Sequence, residues 1–305
     1  MNFKMKKSYV LLFLCLAPLF WAGNYVLGEY VVEEMTPIQM TFIRWAIAIV
    51  LLWPLAHYIE RPVWKDVWKS WKLLTTMSLL GIIGYNFLLY EALKYTTPVN
   101  ASLVNSISPI LIVVLSTFLL RERLTRWNLI GLVLSLGGVL MVLTNGRIGD
   151  LAEVQYNAGD LLMLLAVLLW SVYSIMGRKM TAIPPIAATA VSVIIGLVIL
   201  LPVTLYQGLP SSVSTQGLLG ITYMGLFPSV GAFVFWNVSL RYIDASRVGI
   251  FLYLIPVFTA IISLLMGKTI TAVQIAGGIM VFIGVYINGK KAKKESLKEQ
   301  NKHDV

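Results

Sequence analysis

The chain contains one stretch of sequence twice. Residues 92–95 read Ala-Leu-Lys-Tyr and are followed by thirteen residues and then Pro109; residues 239–242 read Ser-Leu-Arg-Tyr and are followed by thirteen residues and then Pro256. The copies are 147 residues apart in a chain of 305, and both lie among long apolar runs. A duplicated block of membrane-spanning helices that encloses one shared site is typical of proteins that move small molecules across a membrane.

The composition predicts an integral membrane protein. Hydrophobic residues make up 58% of the chain, charged residues only 12%, and the mean hydropathy is +0.81. Because a soluble domain carries about 25% charged residues, this chain has too little polar surface to face water on all sides. The apolar runs do not alternate with polar residues, which favours helices over a β-barrel.

Cysteine and histidine are scarce. Cys15 is the single cysteine of the sequence, so it can form no internal disulfide. His57 and His303 are the two histidines, which argues against a histidine-based metal site. The sequence therefore predicts neither a metal nor a cofactor.

Hydropathy predicts an all-α protein with ten transmembrane helices, since a helix needs about 20 mostly apolar residues to cross a bilayer. The first run follows three lysines, as in a signal peptide, but no small-x-small cleavage site follows it. Trp21 near its end also has a counterpart in Trp170, so we expect it to be retained. The predicted spans are 9–31, 37–57, 72–93, 98–119, 124–144, 160–180, 186–206, 217–240, 244–266 and 271–289.

The distribution of basic residues predicts the orientation. With a cytoplasmic N-terminus, 20 of the 24 lysines and arginines lie inside and three outside, while Arg44 lies within a span. Both termini are therefore expected in the cytoplasm, and the +10 charge reflects topology rather than nucleic-acid binding. The basic tail 290–305 suits an anionic inner leaflet, as expected for a bacterial plasma membrane.

Ten spans divide into two repeats of five, 1–149 and 150–289. Five is an odd number, so the second repeat must enter the membrane from the opposite side. Accordingly, Lys94 is predicted outside and its counterpart Arg241 inside. Beyond the prolines the repeat continues with a one-residue slip, so that the glycines of the fifth and tenth spans correspond: Gly131 with Gly277, and Gly138 with Gly284. Such inverted repeats allow one half to rock against the other around a central site.

Several motifs between residues 8 and 289 carry a family resemblance. They are Trp-Ala-Gly-Asn at 21–24, Phe-Ile-Arg at 42–44, the 92–95 motif with Ala-Ser-Leu at 101–103 and Ser-Pro at 108–109, and Leu-Arg-Glu-Arg-Leu at 120–124. Together they resemble the drug/metabolite transporter superfamily, specifically its EamA type. The resemblance implies two inverted five-helix repeats around a central cavity, and transport of small metabolites, often export of amino acids. One departure from the family pattern is Gly267-Lys268, at a position where the family normally has Gly-Glu.

Aromatic and amide side chains lie in the helices that the resemblance places around the cavity. Aromatic walls with a few amides suit small amphipathic ligands, although tryptophan and tyrosine also occur in interfacial belts and helix packing. A mid-span amide also needs a hydrogen-bonding partner. The candidate cavity residues are Trp21, Asn24, Tyr85, Tyr90, Asn105, Trp170, Tyr173, Trp236, Asn237 and Tyr253.

Three charged residues are predicted at similar depth within the spans: Glu29, Arg44 and Glu91. A charged side chain inside a bilayer is energetically costly unless an opposite charge neutralises it, so we expect Arg44 to pair with a glutamate. The pair is either a fixed clamp between helix ends or a coupling site at which Glu91 binds protons. Pro109 and Pro256 each free a backbone carbonyl, so they mark either hinges or tolerated kinks.

These features favour a secondary transporter that exports a small metabolite, with an uptake carrier or a nucleotide-sugar-like exchanger of the same fold as the alternative. Binding of a phosphate-bearing substrate would require several basic residues deep in the cavity, and Arg44 is the single basic residue predicted deep within a span. An intramembrane enzyme would need paired carboxylates, a serine with a base or a metal set within the spans, and the sequence offers none of these. A purely structural membrane scaffold is disfavoured as well, because such a protein does not need two inverted repeats.

Positions 94 and 241 should lie on opposite sides of the membrane. In a chain with Cys15→Ala, single cysteines introduced at 94 and 241 should react with a membrane-impermeant maleimide from outside and from inside, respectively. Reaction of both positions from the same side would contradict antiparallel insertion of the two repeats.

Overall fold

The computed structural model describes residues 7–303, with gaps at 123, 145, 148, 150–156, 211 and 266–270. In this part of the chain the regular secondary structure is helical throughout, with no strand. We number ten helices, some built of consecutive segments. They are α1, Lys7–Val31; α2, Pro37–Leu55 and Ala56–Glu60; α3, Trp71–Met77, Ser78–Gly84 and Tyr85–Leu93; α4, Pro98–Asn105 and Ser108–Leu119; α5, Arg126–Thr144; α6, Ala158–Lys179; α7, Pro185–Gln207; α8, Thr215–Leu226, Phe227–Ala232 and Phe233–Tyr242; α9, Ala245–Gly249, Ile250–Tyr253 and Leu254–Leu265; and α10, Ala272–His303.

Eight of these helices are long and apolar enough to cross a membrane. The other two are α5 and α10, in which the apolar stretches are shorter, Arg126–Val142 and Ala272–Asn288. The all-helical prediction is therefore confirmed for the described residues, while ten crossings and the orientation of the termini stay predictions. The turn Gly267-Lys268 and the predicted start of the second repeat at residue 150 lie outside the described residues.

Helices α5 and α10 contact each other backbone to backbone. A Cβ atom at Gly138 would lie 2.5 Å from the carbonyl oxygen of Gly277, and one at Gly131 would lie 2.8 Å from that of Gly284. Small residues thus permit the closest approach that two helices can make. The contact is reciprocal. Gly131 touches Gly284, and Gly277, the counterpart of Gly131, touches Gly138, the counterpart of Gly284. A two-fold axis generates this pattern.

Irregular helical turns recur at corresponding places in the two predicted repeats. Helix α3 contains the π-helical segment Ser78–Gly84, and α8 contains the π-helical segment Phe227–Ala232. Helix α4 is interrupted between its two segments just before Pro109, and α9 passes through the 3-10 turn Ile250–Tyr253 just before Pro256. The backbone is therefore irregular before both prolines, and a hinge motion there stays a prediction.

Helices α2 and α7 are antiparallel and are joined at both ends. At one end the Glu60 carboxylate accepts hydrogen bonds from the N–H groups of Ile186 (3.0 Å) and Ala187 (2.8 Å), the first turn of α7. At the other end the Gln39 side chain donates to the carbonyl oxygen of Gly208 at 2.7 Å. A carboxylate at a helix N-terminus satisfies free N–H groups and stabilises the positive end of the helix dipole.

Gly138→Ala should weaken the packing of α5 on α10. Its new methyl group would meet a backbone oxygen, which cannot move aside, so we expect a loss of about 1–3 kcal/mol and a lower melting temperature in detergent. The matched control is Gly137→Ala, whose methyl group would meet the flexible end of Met280 at 3.0 Å. Equal melting temperatures for the two variants would refute this account of the interface.

Candidate functional site

A buried arginine lies at the meeting point of four helices. Arg44 of α2 is 1% exposed. Its Nε donates to the Ser229 hydroxyl oxygen at 2.8 Å, and its Nη1 donates to the side-chain oxygens of Asn86 at 2.8 Å and Asn24 at 3.2 Å and to the hydroxyl of Tyr90. The acceptors come from α1, α3 and α8, so one guanidinium group ties three helices to α2. All of them are uncharged.

Local sequence explains how α2 presents Arg44. Thr36 and Gln39 form a capping box that fixes the start of the helix, and Pro37 occupies its first turn. The face with Met40, Arg44 and Ala48 is buried, as the three- to four-residue spacing of a helix predicts. The guanidinium also lies near two rings, 5.3 Å from the centroid of Trp45 and 5.7 Å from that of Tyr90.

The predicted ion pair between Arg44 and Glu91 is wrong. Glu91 pairs with Lys94 at 2.9 Å instead, and its side chain is 22% exposed. The reason is the rotation of the helix, because consecutive residues point about 100° apart and it is Tyr90 that faces Arg44. Glu29 is half-buried on α1 and forms no ion pair with Arg44 among the described residues.

Next to Arg44 lies a close-packed set of buried rings, which we call the aromatic cluster. Trp21 of α1 meets Trp170 of α6 edge to face, with centroids 5.1 Å apart, and both lie within 5.6 Å of Trp236 of α8. Phe233 packs on Trp170 at 5.4 Å. The cluster further includes Tyr85, Tyr173 and Trp45. It draws side chains from both predicted repeats and fills the centre of the bundle.

Two hydrogen-bonded Asn–Tyr pairs border the aromatic cluster. Tyr90 donates to Asn24 at 3.0 Å, and Asn237 donates to the hydroxyl oxygen of Tyr173 at 2.7 Å. Asn24 follows Trp21 by three residues, just as Tyr173 follows Trp170 by three, and 147 residues separate Tyr90 from Asn237. The two pairs therefore occupy corresponding positions, with the amide and the phenol exchanged.

The structure places the remaining predicted residues apart from this cluster. Asn105 is buried at the interruption in α4, where it accepts a hydrogen bond from Ser108 at 3.2 Å. Tyr253 is buried in the 3-10 turn of α9, and its hydroxyl has no hydrogen-bond partner among the described residues. These residues and the two prolines mark the irregular segments of α4 and α9.

Sequence reasoning missed four residues of the site. Asn86 is a mid-span amide and could have been chosen by the rule that selected Asn24. Ser229 gives no such signal, since serine is common in transmembrane helices. Trp45 and Phe233 look the same in sequence as any aromatic residue in a packed core.

A cavity opens at the end of the bundle where α2 begins. Its volume is about 640 Å³, and its walls include Glu34, Gln39, Lys94 and Ser214. Gln39 precedes Arg44 by five residues, or about 7.5 Å along α2. Glu34 accepts hydrogen bonds from the N–H (2.8 Å) and hydroxyl (2.6 Å) of Ser214, and these bonds lower the pKa of Glu34. The cavity therefore has an ionised carboxylate at its wall at neutral pH.

Ion pairs join the helices at the opposite end of the bundle. Arg178 of α6 lies 3.1 Å from Asp244 and 3.8 Å from Glu122. Glu122 also accepts hydrogen bonds from the N–H groups of Ala245 and Ser246, at the start of α9. This end is thus held by charged contacts, whereas the α2-start end contains the cavity.

The fold and its internal polar site define a multi-pass membrane protein, and comparison with known proteins gives its class. The model of the EamA-like transporter family matches residues 8–144 and 157–289. The chain therefore belongs to the EamA-like transporter family, which confirms the resemblance seen in the sequence. It is a transporter of small molecules embedded in the cell membrane.

Relatives that are named as transporters agree with this class. The uncharacterized transporter YyaM of Bacillus subtilis (strain 168) is 29% identical over 285 residues, 92% of this chain and 93% of that protein. The aromatic amino acid exporter YddG of Ancylobacter novellus is 26% identical over 231 residues, 75% of this chain and 78% of that protein. A solved crystal structure at 22% identity aligns with a TM-score of 0.77 over 95% of this chain and 99% of that one, which shows the shared fold.

Among the described residues, no three histidine, cysteine, aspartate or glutamate side chains are grouped so that they could hold a metal ion. The polar groups of the site are an arginine, amides and hydroxyls, which bind ligands through hydrogen bonds.

Tyr90→Phe should destabilise the protein more than Tyr25→Phe does. The Tyr90 hydroxyl bonds to a buried guanidinium, whereas the Tyr25 hydroxyl meets only the neutral hydroxyl of Tyr85, at 3.3 Å. Hydrogen bonds to charged groups contribute about 1.5–3 kcal/mol and neutral ones about 0.5–1.5. Thermal unfolding of both variants in the same detergent measures the difference, and the reverse order would show that Arg44 does not depend on Tyr90.

Proposed function

We propose that the protein is a secondary active transporter that exports amino acids or related small amphipathic metabolites by alternating access. The aromatic cluster is the observation that carries this proposal. Trp21 and Trp170 correspond in the two predicted repeats, and they meet each other at 5.1 Å in the centre of the bundle. A site formed jointly by corresponding residues of two repeats is what alternating access requires.

The proposal includes two inverted repeats, residues 1–149 and 150–289, ten membrane crossings and cytoplasmic termini. The reciprocal contacts of Gly131 with Gly284 and of Gly138 with Gly277 support the inverted arrangement. The matching π-helical turns of α3 and α8 and the matching irregularities of α4 and α9 support it too. In this view α5 and α10 are the last helices of their repeats.

The cavity residues are assigned roles within this proposal. Trp21, Tyr85, Trp170, Tyr173 and Trp236 form the walls that contact an amphipathic substrate. Asn24, Tyr90 and Asn237 supply the hydrogen bonds. Asn105 and Tyr253, with Pro109 and Pro256, lie at the segments expected to move.

Export of an amino acid is favoured by the site and by one relative. The aromatic amino acid exporter YddG is similar over 75% of this chain. Aromatic walls beside amide and guanidinium groups suit a ligand with an apolar body and a polar head. Uptake is the alternative direction, and a nucleotide-sugar-like exchanger is the alternative substrate class. That second class is disfavoured because Arg44 is alone among uncharged partners. Catalysis is disfavoured as well, because neither the family nor the site suggests it.

Protons are the proposed coupling ion, and Glu29 and Glu91 are the half-buried carboxylates proposed to take part. The pairing of Glu91 with Lys94 at 2.9 Å also gives Glu91 a role as a clamp at the end of α3.

Purified protein in proteoliposomes should catalyse counterflow of at least one amino acid from a panel that includes drugs and sugar nucleotides, each measured with and without a pH gradient. Trp170→Ala should reduce this transport at least about tenfold, because it removes the ring at the centre of the cluster.

The matched control is Trp53→Ala. Trp53 is 38% exposed and stacks on Trp64 at the edge of the bundle, with centroids 4.0 Å apart. Its removal should leave transport near the wild-type rate. Equal losses of transport in the two variants would contradict a substrate path through the aromatic cluster. Transport of sugar nucleotides and of no other compound in the panel would show that the substrates are sugar nucleotides rather than amino acids.

A further inference from the structure

We propose that Arg44 binds the carboxylate group of the transported molecule. The substrate class is then a small carboxylic acid with an apolar or aromatic body, free amino acids included, and amphipathic molecules without a carboxylate are bound poorly. This inference rests on the proposed function and narrows it.

The first step is the charge of Arg44. The side chain is 1% exposed, and an arginine stays protonated in proteins. Its partners Ser229, Asn24, Asn86 and Tyr90 are all neutral. A buried cation without an anion is strongly unfavourable, so this site attracts a negative group.

The second step is that the protein's own carboxylates are committed elsewhere. Six buried or half-buried carboxylates each accept a hydrogen bond or form an ion pair with another group: Glu34, Glu60, Glu91, Glu122, Asp160 and Asp244. The seventh in the described part of the chain is Glu29, which lies five residues beyond Asn24 on α1 and forms no ion pair with Arg44. None of the buried or half-buried carboxylates in the described part of the chain therefore pairs with Arg44, which leaves this role to a ligand.

The third step is the geometry of the guanidinium. Nε and Nη1 make all of its hydrogen bonds, and Nη2 has no partner among the residues that the structure describes. The two N–H groups of Nη2 are thus available. Because Nε and Nη1 already have acceptors, a carboxylate binds through Nη2, and a hydrogen bond between a guanidinium and a carboxylate is about twice as strong as a neutral one.

The fourth step is the surroundings. Each helix that contributes to the Arg44 network also contributes a ring to the aromatic cluster, so a ligand whose head reaches Arg44 has its body among rings. The pairs are Asn24 with Trp21, Arg44 with Trp45, Asn86 with Tyr85, and Ser229 with Phe233.

The fifth step is asymmetry. Thr41 donates to the carbonyl oxygen of Pro37 at 2.7 Å, and Thr189 donates to that of Pro185 at 2.8 Å, so α2 and α7 begin in the same way. In this alignment the position of Arg44 corresponds to Ser192. At this aligned position the first repeat has a cation and the second has a serine, which fits one carboxylate bound in one orientation.

The test uses ligands that differ only at the head group. The full-length protein in detergent is titrated with 3-phenylpropionate and with its neutral isostere 3-phenylpropanamide, and with hexanoate and hexanamide, and the rise in melting temperature gives each apparent Kd. We expect wild-type protein to bind each acid at least about tenfold more tightly than its amide, as a charge-assisted hydrogen bond in a buried site implies.

Arg44→Gln should abolish this preference, so that the affinities of each acid and its amide become about equal. Arg44→Lys keeps the buried charge and serves where the glutamine variant fails to fold. We expect it to lower the preference, because the compact ammonium group of lysine cannot keep the contacts of Nε and Nη1 and also present a donor at the position of Nη2. The matched control is Arg241→Gln, since Arg241 is a half-buried arginine at the far end of α8 that donates to the carbonyl oxygen of Thr181 at 3.0 Å. This control should keep the wild-type preference.

Equal binding of acids and amides by the wild type, no binding of the acids, or a preference that survives both Arg44 variants would each overturn the inference. The outcome is separable from that of the proposed function. Acid-selective binding without transport in proteoliposomes would refute the transporter proposal and leave the carboxylate site standing. Transport of amphipathic amines without a preference for acids over amides would support the proposed transport and overturn the carboxylate site.

Discussion

Inside an apolar helix bundle a charged group must find its hydrogen-bond partners within the protein, because the surrounding lipid offers none. In this molecule that constraint acts on Arg44. The guanidinium takes acceptors from α1, α3 and α8, and it thereby fixes the rotation of these helices about their axes. The rings one turn or less away from those acceptors are then directed into a common centre. The aromatic cluster is in this sense a consequence of where one charge is satisfied.

Much of this arrangement follows from the sequence, and the limits have physical causes. Hydropathy located the helices closely, as with the predicted span 186–206 and the observed helix Pro185–Gln207, because the bilayer selects length and apolarity. The repeat also pointed to Trp21 and Trp170, which meet in the structure. The partner of Arg44 was wrongly predicted because depth along a helix follows from residue number, whereas rotation about its axis depends on packing. Ser229 and Phe233 were missed because neither differs in sequence from the many other serines and aromatic residues of transmembrane helices.

Irregular backbone is the other part that sequence did not supply. The π-helical turn of α3 contains no proline, whereas that of α8 contains Pro228, and Ser229 lies next to this proline and reaches Arg44. The interruption of α4 and the 3-10 turn of α9 were indicated by Pro109 and Pro256, since proline removes a helical hydrogen bond. Proline alone does not identify an irregular segment, because Pro18 and Pro202 lie inside regular α-helical segments, so tertiary contacts decide where the helix departs from regularity.

The glycine contact between α5 and α10 has a mechanical consequence. Side chains that interdigitate resist relative rotation, because they must leave one set of grooves before they enter another. Where Gly131 and Gly138 face Gly284 and Gly277, the two backbones touch without such teeth. The seam is held instead by hydrogen bonds, since Ser135 donates to the carbonyl oxygen of Val281 at 3.4 Å and Gln274 donates to that of Val142 at 3.3 Å, so sliding or rotation of α5 on α10 would break these bonds.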